Sequence, residues 1–556
     1  MRLEEALERW GRGWRGPLLA ALVALVAGLP GVFTLPTLDR DEARFAEATT
    51  QMLETGDFVS IRFQDEPRFK KPVGIYWMQA LSVRALSHAE DRAIWAYRIP
   101  SLLGAMLAAA ACAWGAAAFL RRGLATLAGA ALGTTVVLST EAFIGKTDAM
   151  LCGLITLAMA ALGRLYLASQ GGPPAGRPTK ALLWAGLAFG VLVKGPVAPL
   201  VAALSLVMLC VWDRKARWLK DLGWGWGLIL TAALVGPWAM AITVASDGAF
   251  WGAAVAGDLA PKLTGGQESH GAPPGAYLLL SPLLLFPASL LLPAAGVAAW
   301  RHRTEPGVRF AIAWIVPTWL MFEIIPTKLP HYVLPTFGAI CWLMARALAD
   351  PIPFRARRAG TIMAGVAALI FAGVGVWATD RVGAPAALPW AIAAGAAFVA
   401  AVAAGGHQLI RDRPVRALAI GGALGVAAHG LAVGALAPAL KPLWLTKQAV
   451  ALLTAGGVNP REGVTPGPVT AAGYHEPSIV FALGADTELA GPDEAAAAIA
   501  DGRPAIVDAA SHARFRQALK ASGVAAAYVG MASGLDYSNG AHDILRVYRP
   551  APRSRP

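Results

Sequence analysis

Runs of roughly twenty apolar residues recur along the first four-fifths of this chain, each long enough to cross a bilayer core of about 30 Å. In order they fall near 16–34, 97–118, 123–142, 148–168, 181–194, 196–212, 222–244, 276–299, 308–325, 332–348, 361–378, 387–404 and 415–438. Only 15% of the 556 residues are charged, where a soluble domain carries about 25%. The expected fold is a polytopic α-helical membrane protein of about thirteen transmembrane helices.

The net charge of +13 raises the question of nucleic acid, but its distribution answers it. The excess sits in alternate short loops: "RR" at 121–122, Arg177 with Lys180, "DRKARWLK" at 213–220, "RHRTEPGVR" at 301–309, "RARR" at 355–358 and "RDRPVR" at 411–416. That parity sets topology, and no basic-aromatic module accompanies it. Nucleic acid is excluded as a partner. The four cysteines, Cys112, Cys152, Cys210 and Cys341, lie inside apolar runs without metal-ligand spacing. The first run reads as a retained span, because its core is long and no small-x-small cleavage site follows.

With the N-terminus cytoplasmic, thirteen spans put the tail on the far side. The tail alternates short β-prone runs with amphipathic ones, the pattern of a small α/β domain. The expected organisation is a transmembrane domain, 1–438, and a C-terminal domain, 439–556. Loops 35–96 and 245–275 on the tail's side exceed what a connector needs. The Ala-, Gly- and Arg-rich composition points to a bacterial inner-membrane protein, so that this side is expected to be periplasmic.

The first of these loops opens on "LDRDEARFAE", Leu38–Glu47. Phe45, Thr49, Met52 and Leu53 share one helical face, as in a helix lying along the membrane surface. Asp39 and Glu42 have capping-box spacing, with Asp39 as the cap. Asp41 is then left without a structural duty, in a first turn whose dipole favours a carboxylate, as a general base requires. Asp148 follows Lys146 at the start of an apolar run, where an ionisable group is costly unless it is paired or faces a wet cavity. Its competing role is a helix N-cap.

Cations on this side are Lys70, Lys71, Lys146, Lys194, Lys262 and Lys328, beside Arg44 and Arg68. Singly, each reads as a lysine snorkelling at a span end; together they form a basin for an anionic group. "IIPTKLPHYVLP", Ile324–Pro335, is a Pro-rich joint that would hold Lys328, His331 and Tyr332 in a rigid turn.

These segments resemble the polyprenyl-phosphate-sugar-dependent membrane glycosyltransferases of the C-type superfamily. That superfamily includes aminoarabinose transferases acting on lipid A and protein O-mannosyltransferases. The likeness rests on "LDRDEARFAE" through "FKKPVGIYW", "GKTDA", "LVKGP" and "TKLPHYVLP", four motifs in order on the expected side. It implies the C-type fold and inverting transfer of a sugar from an undecaprenyl-type phosphate to lipid A, another envelope glycan or protein hydroxyls. By motif, Asp41 and Asp148 are the candidate catalytic carboxylates. Lys71, Arg44, Lys328, Tyr332 and Lys70 are candidates for the donor phosphate. Glu42, Lys146, His331, Tyr76 and His270 are further candidate substrate-binding residues.

One departure stands out. Where the aminoarabinose branch reads "EKP", this chain reads "KKP", with Lys70 in place of the glutamate. The resemblance associates that glutamate with a metal, together with a histidine that could be His270. A protonated lysine is a poor metal partner, so no essential metal or other cofactor is expected. The extra cation points to a neutral or acidic sugar. "GYHEPSIVF", Gly473–Phe481, resembles a segment of bacterial members, and by spacing reads only as strand, turn and helix start. The remaining expected partners are membrane lipids, and the chain is expected to be monomeric. A lipid-linked sugar flippase predicts repeats and mid-membrane helix breaks, whereas the unusual charges here gather at one face. An envelope assembly protein with a lost site predicts decay of Asp41, Lys71 and Asp148, all of which are present.

Overall fold

The structure is a computed structural model and describes residues 2–261, 271–463 and 466–551. A short amphipathic helix, α1 (Arg2–Trp10), precedes the first span, α2 (Arg15–Thr34). The following loop folds as α3 (Asp41–Thr55), a hairpin of β1 (Arg62–Phe63) and β2 (Glu66–Pro67), and α4 (Gly74–Leu86). The bundle continues with α5 (Ile94–Ala116), α6 (Arg122–Thr134), α7 (Val136–Glu141), α8 (Asp148–Ser169), α9 (Arg177–Lys194), α10 (Val197–Asp213) and α11 (Trp224–Ala245). After loop 245–275 come α12 (Ala276–Leu284), α13 (Leu292–Arg301), α14 (Pro306–Ile324), α15 (Phe337–Ala347), α16 (Phe354–Arg381), α17 (Leu388–Ile410) and α18 (Pro414–Leu431).

Among the described residues, eight helices are long and apolar enough to cross a membrane: α2, α5, α8, α11, α14, α16, α17 and α18. The run expected as one span at 276–299 is instead two helices, α12 and α13, bent by 115°. Pro287 and Pro293 lie between or at the start of them and donate no N–H. The run at 123–142 is also interrupted. The β-branched stretch Thr134–Val137 is a poor helix former, and at the break the Val136 N–H donates to the Phe286 carbonyl at 2.8 Å. The other three expected spans fall on α9, α10 and α15.

Helix α8 is the centre of the bundle, with 89% of its apolar window buried against protein, whereas the same figure for α11 is 11%. Small residues let α8 touch α5. A Cβ on Gly104 would meet the Met150 Cα at 2.4 Å, and one on Gly153 would meet the Gly104 carbonyl at 2.4 Å. Close backbone approach of this kind is how membrane helices associate without a hydrophobic driving force.

The C-terminal domain begins after α18 and its short continuation to Ala439. It contains α19 (Leu445–Ala455), β3 (Thr470–Ala472), α20 (Pro477–Leu483), β4 (Glu488–Ala490), α21 (Pro492–Ala500), β5 (Ala505–Val507), α22 (His512–Ser522), β6 (Ala526–Asp536) and β7 (Ala541–Pro550). The sheet order is β4-β3-β5-β7-β6, with β4, β3 and β5 parallel and the last two strands antiparallel. This is the small α/β domain expected from the tail's composition.

The domain sits on the first loop. Gln64 donates to the carbonyls of Ala485 (2.9 Å) and Thr487 (2.6 Å), and Phe481 packs edge-on to Tyr97 with ring centroids 5.4 Å apart. Helix α3 therefore does not lie on the lipid surface. Phe45, Ala48 and Met52 join the membrane-domain core, while Ala43 and Ala46 pack with Phe481 of the roof. The apolar face that suggested an interfacial helix is buried in protein on both sides.

Candidate active site

The site is built on a sealed ion pair. Glu42 and Arg98 are fully buried and share two bonds of 2.9 and 2.8 Å. Arg98 also donates to the carbonyls of Val32, Leu35 and Pro36, fixing the chain as it leaves α2. The Glu42 oxygens accept two further backbone bonds, from Leu38 (2.8 Å) and Gly145 (2.7 Å). Gln79 adds a bond to the Gly145 carbonyl at 2.9 Å, so the start of α3 and the turn before α8 are locked together. This corrects two expectations. Glu42 is saturated and scaffolding, with no lone pair left for substrate. Asp39 is not the cap of α3: Arg40 occupies that position, and Glu42 reaches back to Leu38.

Asp41, the first residue of α3, points the other way. Its side chain is 63% exposed and lies 3.9 Å from Arg68. Burial of its surroundings works to raise its pKa, but Arg68, Lys146 and Arg44 together hold the carboxyl below its usual range. Arg68 arrives on the turn after the hairpin, nearly buried, with its guanidinium 5.1 Å over the Phe45 ring. Tyr76, fully buried, packs on Phe45 with centroids 5.2 Å apart and forms the wall behind Arg68.

The second group gathers beneath the turn before α8. Lys194 ends α9, where Gly195 takes φ +62 and Pro196 starts a new helix. The resulting tight corner aims the Lys194 ammonium at Asp148 Oδ1, 2.5 Å away. Lys146 lies 3.1 Å from Glu141 and 3.7 Å from Asp148. His331 sits between the two carboxylates, 3.3 Å from Glu141 and 3.5 Å from Asp148. The Lys194 ammonium also lies 5.3 Å over the Tyr332 ring. Asp148 begins α8 one residue after Thr147, which holds the N-cap position; its oxygens serve the two lysines rather than a cap.

The other expected residues are spread around these two groups. Lys328 is buried and donates to the carbonyls of Glu323 (2.9 Å) and Ile325 (2.6 Å), closing the C-terminal end of α14. Lys70 is exposed and Lys71 half-buried on the turn following Arg68, with the Lys71 ammonium 3.2 Å from the Lys70 carbonyl. Arg44 is half-buried one helical turn beyond Asp41. His270 and Lys262 fall outside the described residues. Asp39 faces the roof: its N–H donates to the Tyr537 oxygen at 2.7 Å. Burial, then the Glu476 and Asp536 carboxylates, push the Asp39 carboxyl up to about 7 against hydrogen bonds from Ser478 and Tyr537. Glu476, from "GYHEPS", precedes α20 and accepts from Ser538.

Glu141, Asp148 and His331 each place a ligand atom within 4.8 Å of the others, a spacing that a metal ion can bridge. Two ammonium groups already occupy the same carboxylates, so a divalent ion would meet fixed positive charge. The set fits an ion-pair network better than a metal, and nothing below is routed through one. Two members went unassigned in the motif reading. Glu141 is an acid within an expected span, a signal of function by itself. Lys194 was visible only as one of several end-of-span lysines, because its partner is 46 residues away in sequence.

No family model matches the sequence. Three curated relatives are each named undecaprenyl phosphate-alpha-4-amino-4-deoxy-L-arabinose arabinosyl transferase. That of Enterobacter sp. (strain 638) is 30% identical over 335 residues, 58% of this chain and 58% of the relative. That of Pseudomonas paraeruginosa is 30% identical over 310 residues, 55% of each. That of Yersinia pestis (strain Pestoides F) is 31% identical over 344 residues, 60% of this chain and 59% of the relative. The chain thus spans under three-fifths of the length of the relatives it matches.

Structural likeness extends further. ArnT from Cupriavidus metallidurans superposes with a TM-score of 0.74 in the apo state and 0.76 bound to undecaprenyl phosphate. Both share 18% identity and cover 95% of this chain and 97% of theirs. An Archaeoglobus fulgidus oligosaccharyltransferase matches at TM-score 0.51 and 10% identity, covering 99% of this chain and 75% of its own. The chain is a multi-pass membrane protein with the C-type glycosyltransferase fold.

Proposed function

We propose that this chain is an inverting glycosyltransferase that takes a sugar from undecaprenyl phosphate and places it on a cell-envelope acceptor, with lipid A or a related glycan favoured. The observation that carries the reading is that Asp41 and Asp148 are each set against fixed cations and share Lys146 as a charged neighbour. The names of the curated relatives and the undecaprenyl phosphate bound to ArnT support the donor class. The basic loops at the opposite end support a cytoplasmic N-terminus and a periplasmic site.

In this reading Asp41, ionised and exposed, orients the acceptor and takes the proton of an attacking hydroxyl. If the acceptor is already a phosphate, orientation is its main task. Departure of the lipid phosphate leaves negative charge on its oxygens, which Arg44, Arg68 and Lys71 stabilise. Asp148 holds Lys146 and Lys194 in fixed positions relative to one another. Lys328 sets the shape of the turn that carries His331 and Tyr332.

Lys70 beside Lys71 favours a neutral or acidic sugar over cationic aminoarabinose. The test is transfer of label from purified undecaprenyl-phosphate sugars to an envelope extract by the purified chain. Transfer from at least one donor is expected, and silence with all of them sinks the proposal. Turnover with aminoarabinose alone sinks only the sugar preference.

A further inference from the structure

The opposite end of the bundle holds a second site. A cavity of 630 Å³ opens between the start of α2, the ends of α5 and α8, and the starts of α6 and α9. Its floor is apolar, with Leu107, Leu157 and Leu182, and its rim carries Trp14, Arg122 and Arg164. Arg164 follows Asp148 by sixteen residues on α8, which at 1.5 Å per residue is about 24 Å along the axis. The cavity therefore lies at the far membrane interface, away from the candidate active site.

The arginines here are treated differently from their neighbours. At the same end, Arg309 pairs with Asp213, Arg346 with Glu305 at 2.8 Å, and Arg357 with Asp412 at 3.2 Å. Arg164 instead donates to the Trp114 carbonyl at 2.8 Å and lies 4.7 Å over that indole ring. Among the described residues no carboxylate pairs with Arg164 or Arg122. The nearby Glu8 is already engaged, by the Gly123 N–H at 3.1 Å and by Arg121 at 3.6 Å. Arg164, half-buried at the edge of an apolar cleft, carries a charge that an anion would offset, and exposed Arg122 stands beside it.

We infer that this cavity binds an anionic glycerophospholipid, its phosphodiester between Arg122 and Arg164 and an acyl chain on the leucine floor. Charge complementarity selects the occupant. A free anion would leave the apolar floor uncovered, and a neutral lipid would leave the arginines unmatched. The ammonium of a zwitterionic lipid would find no free carboxylate at the rim. Basic pockets between helices on the cytoplasmic side are suited to such headgroups, and Trp10 and Trp14, both exposed, supply the interfacial aromatic anchors.

The full chain in detergent, examined by native mass spectrometry, tests this with phosphatidylglycerol, phosphatidylethanolamine of matched chains, and undecaprenyl phosphate as probes. Phosphatidylglycerol is expected to be retained over phosphatidylethanolamine. In Arg122→Gln/Arg164→Gln its affinity should fall by about tenfold or more, and in Arg357→Gln it should not change. Arg122→Gln alone, at an exposed side chain, should weaken binding about fivefold without disturbing α5–α8 packing. Equal retention of the two phospholipids, or full retention by the double variant, overturns the inference. So does undecaprenyl phosphate being retained more tightly than phosphatidylglycerol by the wild type and lost from the double variant, because the cavity would then be a donor-lipid site.

Discussion

The two ends of the helix bundle carry charge in opposite ways. At the end under the C-terminal domain, Glu42, Arg98, Glu141, Lys146 and Asp148 are buried or nearly so, and the sets they form are tied together across the sequence, Glu42 to Arg98, Asp148 to Lys194 and Glu141 to His331. At the other end the basic loops lie largely in solvent, and pairs such as Arg121 with Glu8 are open to water, with side chains 79% and 34% exposed. Both ends hold ion pairs, but the pair sealed completely from water, Glu42 with Arg98, is at the first. Exposed cations can orient a protein in a membrane; buried, cross-linked ones can hold a substrate group in place.

The largest effect expected from that contrast is at Glu42. Glu42→Ala leaves Arg98 buried without a counter-charge, which costs about 3–5 kcal/mol. It should appear as poor recovery of folded protein and a lowered Tm. Next is Asp148→Asn, which keeps the shape but takes the carboxylate charge from Lys194 and leaves Lys146 with Glu141. Sugar transfer should fall by about 100-fold, with a loss of Tm smaller than that of Glu42→Ala because Glu141 and His331 remain in the network; an unchanged rate would show the network to be structural only.

Asp39 gives a smaller, pH-dependent effect. Its folded pKa of about 7 lies above the ordinary value of 3.8, so the folded state binds a proton that the unfolded state releases. The associated stability is present below pH 3.8 and is lost as pH rises through about 7. Asp39→Asn should flatten the fall in Tm across that window, and a wild-type slope in the variant would remove Asp39 as its source. The smallest effect is at the other end, where Arg121→Ala should change stability by no more than about 0.5 kcal/mol.

What could be read from the sequence follows the range of each signal. Apolar runs and loop charge are local, so the membrane class, the basic face and the α/β tail were all legible. Partnership was not. Asp39 and Glu42 have the spacing of a capping box, but Arg98, 56 residues on, claims Glu42, and Tyr537 claims the Asp39 N–H. The face of α3 looked interfacial because burial under a distant domain and burial in lipid select the same residues. Breaks at Thr135 and Pro287 were written in β-branched residues and prolines, yet hydropathy averaged over them. Lys328 carries the motif of a phosphate ligand, yet its ammonium sits on helix-end carbonyls brought to it by the fold.

The central claim is that Asp41, exposed yet held ionised by surrounding cations, acts on the acceptor. Its direct test is the initial rate of label transfer from undecaprenyl-phosphate sugar by Asp41→Asn beside wild type, with Tm measured on both. The account predicts a loss of about 100-fold or more with an unchanged Tm. A rate within about twofold of wild type would contradict it.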